Sequence, residues 1–424
     1  MALLALGAIA CGPAPAPRPD VVLIDVDSLR ADHLAHLGYE RATSVGLDAF
    51  RADATLFANA WAPSSASAAS SASLLTGLGV DDHGVSGARL QLGEEISTLA
   101  EILQREGFAT AALSHHFELS RASGFGQGFD LFESAAAPID AYPDAGAMVA
   151  SLREWLATEP AAPFFLYLHP MNAHGPYRVP ANRRGALFGR PATRTFDYAG
   201  DAARAVMSGR RPVRRMVNDA MVRSLVEQYD AAVRYTLDRV GEMIELLRRN
   251  GRYDDALIIV VGNHGEELFD HGGFGHGFTL HGEVLRVPLY VKLPGGVGGN
   301  TVETPVSTLD VVPTVLESLG LAARPGAGRS LGPLLRGEAQ SPLERSFEHR
   351  LDEPQNGADQ RAIVRERYKL IDMTRRYDLP RGGVALYDLV LDPAEEKDIA
   401  AEAPQIVEQL RAELEPSAAG AEEP

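Results

Sequence analysis

Four short stretches of this chain carry residue types that do chemistry. Asp25-Val26-Asp27-Ser28 follows the apolar run VVLI, and Asn263-His264-Gly265-Glu266 follows LIIVV. His169, Asn172 and His174 follow FFLYL, and Ser67 and Ser71 sit in the small-residue stretch SSASAASSAS. Carboxylates, imidazoles and amides are what metal coordination and acid–base catalysis use. A serine that opens a helix holds its oxygen near the positive end of the helix dipole. Taken singly, each stretch is equally served by a helix cap or a satisfied turn. Three of them follow strand-like runs, and in an open parallel sheet function gathers at the carboxyl ends of strands. Asp25 and Asp27 are two residues apart, so on a strand both side chains face one way. His264, His271, His276 and His281 fall within one Gly-rich segment, a spacing that suits a loop wrapped round an ion or anion. Of these, His271 and His281 read as turn residues. His169 reads as a support for its strand end, Arg286 as a residue that fixes its loop, and His116 carries no special signal.

The elements that must position these residues are visible as apolar runs. Residues 21–24, 164–168, 257–261 and 288–292 read as buried parallel strands. Between them lie amphipathic helices, the clearest over 226–249, where Val226, Tyr229, Val233, Val240, Ile244 and Leu247 recur at helical spacing and Asn250-Gly251 ends the run. Further helices are expected over 67–76, 97–106 and 309–320. Strands alternating with helices predict an α/β fold: a doubly wound, mostly parallel sheet with helices on both faces. Strand-like pieces at 362–364 and 368–371, with a last helix near 404–415, predict a small C-terminal α+β subdomain. The expected division is 1–19 leader and tether, 20–340 catalytic domain, 341–416 C-terminal subdomain and 417–424 a frayed tail. Residues 183–212, rich in Arg, Gly, Ala and Pro, read as an insertion or lid.

The 424 residues carry a formal charge of −17, which argues against a nucleic-acid partner. The lone cysteine, Cys11, excludes an internal disulfide. It follows an apolar stretch and precedes a Pro/Ala-rich run, resembling a bacterial lipoprotein signal. The expectation is a lipid anchor at Cys11 and a periplasmic or cell-surface location. No other stretch is long and apolar enough to span a bilayer.

Five segments, in order along the chain, resemble the sulfatase family of the alkaline-phosphatase superfamily. VVLIDVDSLRADHLAHLGYER is similar to the family's opening segment, and WAPSSASAASSASLLTG to its nucleophile segment. FLYLHPMNAHGPY is similar to the substrate-binding segment, VVGNHGEELFDHGGFGHGFTLHGEVLRVPLYV to the second metal segment, and ALYDLVLDPAEEKDIA to the closing signature. The resemblance implies a divalent metal, calcium foremost with zinc or manganese as options, held by Asp27, Ser28, Asn263 and His264. It makes Ser67 the nucleophile and gives His174 and His276 to the transferred group and leaving oxygen. It places Ser71 and His115 where substrate-binding Arg and Lys stand in the family. Ser28 and Asn263 stand in place of carboxylates, which weakens a hard cation's shell. Asp25 could supply a second carboxylate. With Ser71 in place of the motif's arginine, two states of Ser67 stay open: formylglycine, or an unmodified serine.

The function that follows is hydrolysis of a sulfate ester, on a small molecule or a glycan, by attack of Ser67. Two alternatives stand beside it. One is a phosphoester hydrolase or phosphoglycerol transferase of the same superfamily, which an unmodified serine favours. The other is a sulfatase-like binding protein that has lost catalysis, in keeping with the depleted carboxylates.

Overall fold

A computed structural model describes residues 18–134, 144–180, 183, 217–296, 298–338, 345–353, 358–375 and 382–414. The expected lipid-anchor segment, the tail from 417 onward and all of the expected lid except Arg183 lie outside them.

The run VVLIDV forms β1 (Val21–Val26), every residue of it buried. It is central because both faces of the sheet are covered. Val22, Ile24 and Val26 enter one core, and Val21 and Leu23 enter the other. In chain order come β2 (Thr55–Trp61), α1 (Ser67–Thr76), α2 (Leu99–Arg105), β3 (Ala109–Ser114), β4 (Leu131–Ser134), α3 (Ala145–Leu156) and β5 (Phe164–His169). They are followed by α4 (Asp219–Arg249), β6 (Leu257–Gly262), a small hairpin of β7 (Glu267–Leu268) and β8 (Phe274–Gly275), and β9 (Arg286–Lys292). Short β10 (Thr301–Val302) and β11 (Val306–Ser307) precede α5 (Val311–Ser318). The sheet order is β10-β2-β9-β6-β1-β5-β3-β4, with β11 also on β2. α3 and α4 cover the first core, and α1, α2 and α5 cover the second.

The doubly wound, mostly parallel architecture is therefore the one expected. One strand departs from it. β9 was expected to be parallel, but it runs antiparallel to both β2 and β6. The link from β6 to β9 carries only the small hairpin and a single helical turn, Gly282–Leu285. That is too little helix for a parallel crossover.

Local signals explain the helix ends. Thr98 and Glu101 form a reciprocal capping box that starts α2. Gly77, at φ +74°, closes α1 in the left-handed conformation. α4 begins seven residues before the periodic run, at the Asn218 cap, and its 31 residues reach about 46 Å. The C-terminal part is a four-stranded antiparallel meander, β12 (Ser346–Glu353), β13 (Ala358–Arg365), β14 (Tyr368–Arg375) and β15 (Gly383–Asp388), followed by α6 (Pro404–Leu414). Phe347, Leu351, Val364 and Ile371 of this sheet pack on Trp61, Ala69, Leu280 and Leu285 of the main body.

Candidate active site

The carboxyl ends of β1, β5 and β6 lie side by side, because β1 pairs in parallel with β5 on one side and β6 on the other. This register brings Asp25 and Asp27 next to His169. The His169 ring bridges them, with Nδ1 3.0 Å from Asp25 Oδ2 and Nε2 3.0 Å from Asp27 Oδ2. Both ring nitrogens thus face carboxylate oxygens, an arrangement served by a doubly protonated imidazole. Burial works against that charge, but the two aspartates outweigh it and raise His169 to about 9. Burial likewise opposes ionisation of Asp27, yet the His169 bond holds its carboxyl well below the usual range.

α1 aims Ser67 at the same place. Its Oγ lies 2.8 Å from His264 Nε2. His264 Nδ1 lies 2.7 Å from the carbonyl of Gly265, so Nδ1 carries the proton and Nε2 is free to accept from the serine. Burial, reinforced by His276, brings His264 down to about 4 and keeps it neutral. Only glycine fits after it, since a Cβ at 265 would meet Glu283 O at 1.9 Å. The His276 ring centre lies 4.3 Å from that of His264, tilted by 37°, and 4.6 Å from that of His174, which it meets edge-on. Burial lowers both His174 and His276 below the ordinary imidazole value. Glu266 is fully buried, its Oε2 3.1 Å from His276 Nδ1, and burial raises it to about 7 against the pull of His174 and His264.

The structure thus gathers Asp27, Ser28, Ser67, His174, Asn263, His264 and His276 into one buried site. It also changes several assignments. Ser71 does not face a substrate. It is buried one turn below Ser67, with its hydroxyl donating to Asp25 Oδ2 at 2.8 Å. The imidazole that enters the cluster from β3 is His116, not His115. Its Nε2 lies 3.7 Å from Asp27 Oδ2, and its ring meets His169 and His174 edge-on. His169, read as a strand support, is a central member of the site. Glu266, adjacent to the expected ligands, is the carboxyl that holds His276. The sequence signal for both residues was their place at a strand end; what it lacked was the strand order.

A mostly parallel α/β sheet with a serine at a helix N-terminus over its carboxyl edge, and an antiparallel C-terminal sheet, is the framework of alkaline-phosphatase-type hydrolases. The family model described as Sulfatase matches residues 19–321, and that described as N-sulphoglucosamine sulphohydrolase, C-terminal, matches residues 269–419. The chain belongs to the sulfatase family and is a sulfatase-type hydrolase of sulfuric esters. Arylsulfatase K of Mus musculus is 25% identical over 459 residues, covering 95% of this chain and 81% of that protein. The phosphonate monoester hydrolase of Agrobacterium radiobacter shares the fold, with a TM-score of 0.74 and 21% identity over 94% of this chain and 95% of that one. So does a protein solved with its substrate D-glucosamine-2-N,6-O-disulfate, with a TM-score of 0.75 and 18% identity over 94% and 97%.

The family generally uses a divalent metal and a formylglycine. The four residues expected to hold calcium, Asp27, Ser28, Asn263 and His264, offer it few open oxygens, although the buried Asp25 Oδ1 beside them has no partner among the described residues. Such a cation takes six or more oxygens. Asn263 Oδ1 already accepts from the amides of Ser28 at 3.2 Å and His264 at 2.7 Å. Ser28 turns its proton to Asp27 Oδ1 at 3.0 Å. Asp25 Oδ2 takes Tyr167, His169 and Ser71 together. His264 and His169, the nitrogens a softer ion would need, are committed to Ser67 and the aspartates. Among the described residues, no group of three or more His, Cys, Asp or Glu side chains is arranged to hold a metal ion.

Proposed function

We propose that Ser67 attacks the sulfur of a sulfuric ester in its unmodified state, with His264 as its base. The observation that carries this reading is the 2.8 Å contact between Ser67 Oγ and a His264 nitrogen whose tautomer the Gly265 carbonyl fixes. The Oγ proton passes to His264 Nε2 as the Oγ–S bond forms. The bond from sulfur to the ester oxygen breaks. That oxygen takes the Nε2 proton of His276, and Glu266 passes its proton to His276 Nδ1. Water then attacks sulfur and passes one proton through His276 back to Glu266, the bond from sulfur to Oγ breaks, Oγ takes back the proton held by His264, and hydrogen sulfate leaves. The N-terminus of α1 favours the negative charge carried by the transferred group.

The proposed substrate class is a sulfated saccharide, supported by the relative solved with a sulfated glucosamine. The proposed location is extracytoplasmic, on a lipid anchor at Cys11, supported by the apolar stretch and Pro-rich run around that cysteine. No helix among the described residues is long and apolar enough to cross a membrane. Release of the protein into the soluble fraction by Cys11→Ser tests the anchor.

Two measurements test the chemistry. Mass spectrometry of the peptide that contains Ser67 reads its state, and turnover of p-nitrophenyl sulfate reads activity. An unmodified serine with turnover supports the reading. Formylglycine at position 67, or an unmodified serine without turnover of any sulfate ester, sinks it.

A further inference from the structure

A second polar cavity opens where the main sheet meets the C-terminal sheet. It has a volume of about 310 Å³ and is lined by Asn59, Trp61, Arg286, Arg345, Glu366 and Arg367, among others. It lies at the same edge of the sheet as Ser67, but on β2 and β9. β2 is three strands from β1, a separation of about 14 Å.

Three observations give this cavity a chemistry. First, three of its buried polar atoms have no hydrogen-bond partner among the described residues: Asn59 Oδ1, Trp61 Nε1 and Arg286 Nε. Trp61 is only 2% exposed, so its indole N–H is not a surface donor left to bulk water. Buried polar groups are almost always paired, and three orphans in one cavity call for a common partner.

Second, the orphans are placed by the strands rather than by loops. Trp61 and Arg286 are directly opposed in the β2–β9 ladder, and the register of that pair slips between Phe57 and Ala60, which places Asn59 in an irregularity. Such irregularities re-aim a side chain.

Third, of the three arginines that line the cavity beside Glu366, one has no carboxylate in direct contact. Arg345 is neutralised by Asp310, at 2.6 Å, and Arg367 by Asp388. Arg286 makes no ion pair among the described residues. Its guanidinium lies 5.9 Å from the Trp61 ring centre, and the buried Lys369, 5.5 Å from the same ring, is already paired with Glu395. Two donors, one of them a permanent cation, suit an oxyanion. The adjacent Asn59 oxygen suits a hydroxyl or amide N–H beside it. The volume is at the lower bound for small-molecule pockets, room for one sugar-sized group.

We propose that this cavity is a second binding site, distinct from the Ser67 centre, for an acidic sugar unit: an oxyanion taken by Arg286 and Trp61, with a neighbouring hydroxyl taken by Asn59. Arg286 is then a binding residue, not the loop anchor that the sequence indicated. The reading is independent of the reaction at Ser67.

Calorimetric titration of the full chain carrying Ser67→Ala with glucose 6-sulfate and D-glucuronate tests it, with inorganic sulfate as the third probe. Saturable binding of at least one sugar acid, tighter than inorganic sulfate, is expected. Arg286→Gln is expected to weaken it at least tenfold. Trp61→Phe, which keeps most of the packing, and Asn59→Ala are each expected to weaken it about threefold. Thermal unfolding checks that each variant is folded, and Trp61→Phe and Asn59→Ala decide the matter if Arg286→Gln is not. Turnover of p-nitrophenyl sulfate in the Arg286 and Trp61 variants, with Ser67 intact, is expected to be unchanged. No saturable binding of either sugar acid, or binding that none of the folded variants weakens, overturns the proposal. So does inorganic sulfate binding as tightly as both sugar acids.

Discussion

Replacing Glu266 by glutamine should make the protein more stable and less active, and the stability gain should depend on pH. Glu266 is fully buried, and burial raises its carboxyl from 4.5 in the unfolded chain to about 7. The folded state therefore holds this proton more tightly than the unfolded state. Stability is greatest below pH 4.5, falls as pH rises through the window from 4.5 to 7, and levels off above it. The difference of about 2.5 pH units, at about 1.4 kcal/mol each, corresponds to a cost of about 3 kcal/mol once the carboxylate is ionised. Glutamine has nearly the same shape and never ionises. Urea unfolding of wild type and Glu266→Gln should give curves that differ by about 3 kcal/mol in favour of the variant at pH 8 and converge near pH 4.5. Turnover should fall, because the amide cannot pass a proton to His276. A difference of the same size at both pH values, or a variant less stable than wild type at pH 8, would show that Glu266 is not held protonated by its surroundings.

Three other outcomes follow from distances in the structure. His264→Ala removes the acceptor 2.8 Å from Ser67 Oγ, and kcat for an aryl sulfate should fall by about 10²- to 10⁴-fold while the circular dichroism spectrum is retained. Gly265→Ala drives a Cβ to 1.9 Å from Glu283 O, so the backbone that carries His264 must move; a loss of turnover larger than the loss of thermal stability is expected in a parallel assay. Glu395 accepts from Lys369 at 2.9 Å with both partners buried, and Glu395→Gln alone should cost about 3–5 kcal/mol by urea unfolding. Adding Lys369→Met should restore much of it, and a double-mutant cycle with no coupling would refute the pairing.

What the sequence disclosed depended on whether a signal was local. Residues 21–26, 164–169 and 257–262 read as strands because they are buried on both faces and need no polar alternation. β2 and β3, with the sequences TLFANAW and ATAALS, are too rich in Ala, Ser, Thr and Asn to stand out as apolar runs. The antiparallel sense of β9 is set by the length of a connection, not by the strand's own residues. The site divides in the same way. Ser67, Asp27, His174, His264 and His276 lie in recognisable segments. His169 and His116 reach Asp27 only because β5 sits beside β1 and β3 beside β5, which no local spacing encodes. Asn263 is ambiguous in the sequence for a subtler reason. An amide oxygen is an acceptor for a cation and for a backbone N–H alike, and only the fold shows that two amides reach it first.

The shared carboxylate beneath the nucleophile helix also bears on which residues position 71 can hold. Ser71 and His169 both hold Asp25, and neither has any solvent exposure. An arginine at position 71 would enter a closed space and share Asp25 with the His169 imidazolium. Ser71→Arg alone would set two cations beside one another in that space. The two positions are therefore coupled through Asp25: a cation at position 71 is accommodated more readily where residue 169 is smaller or uncharged.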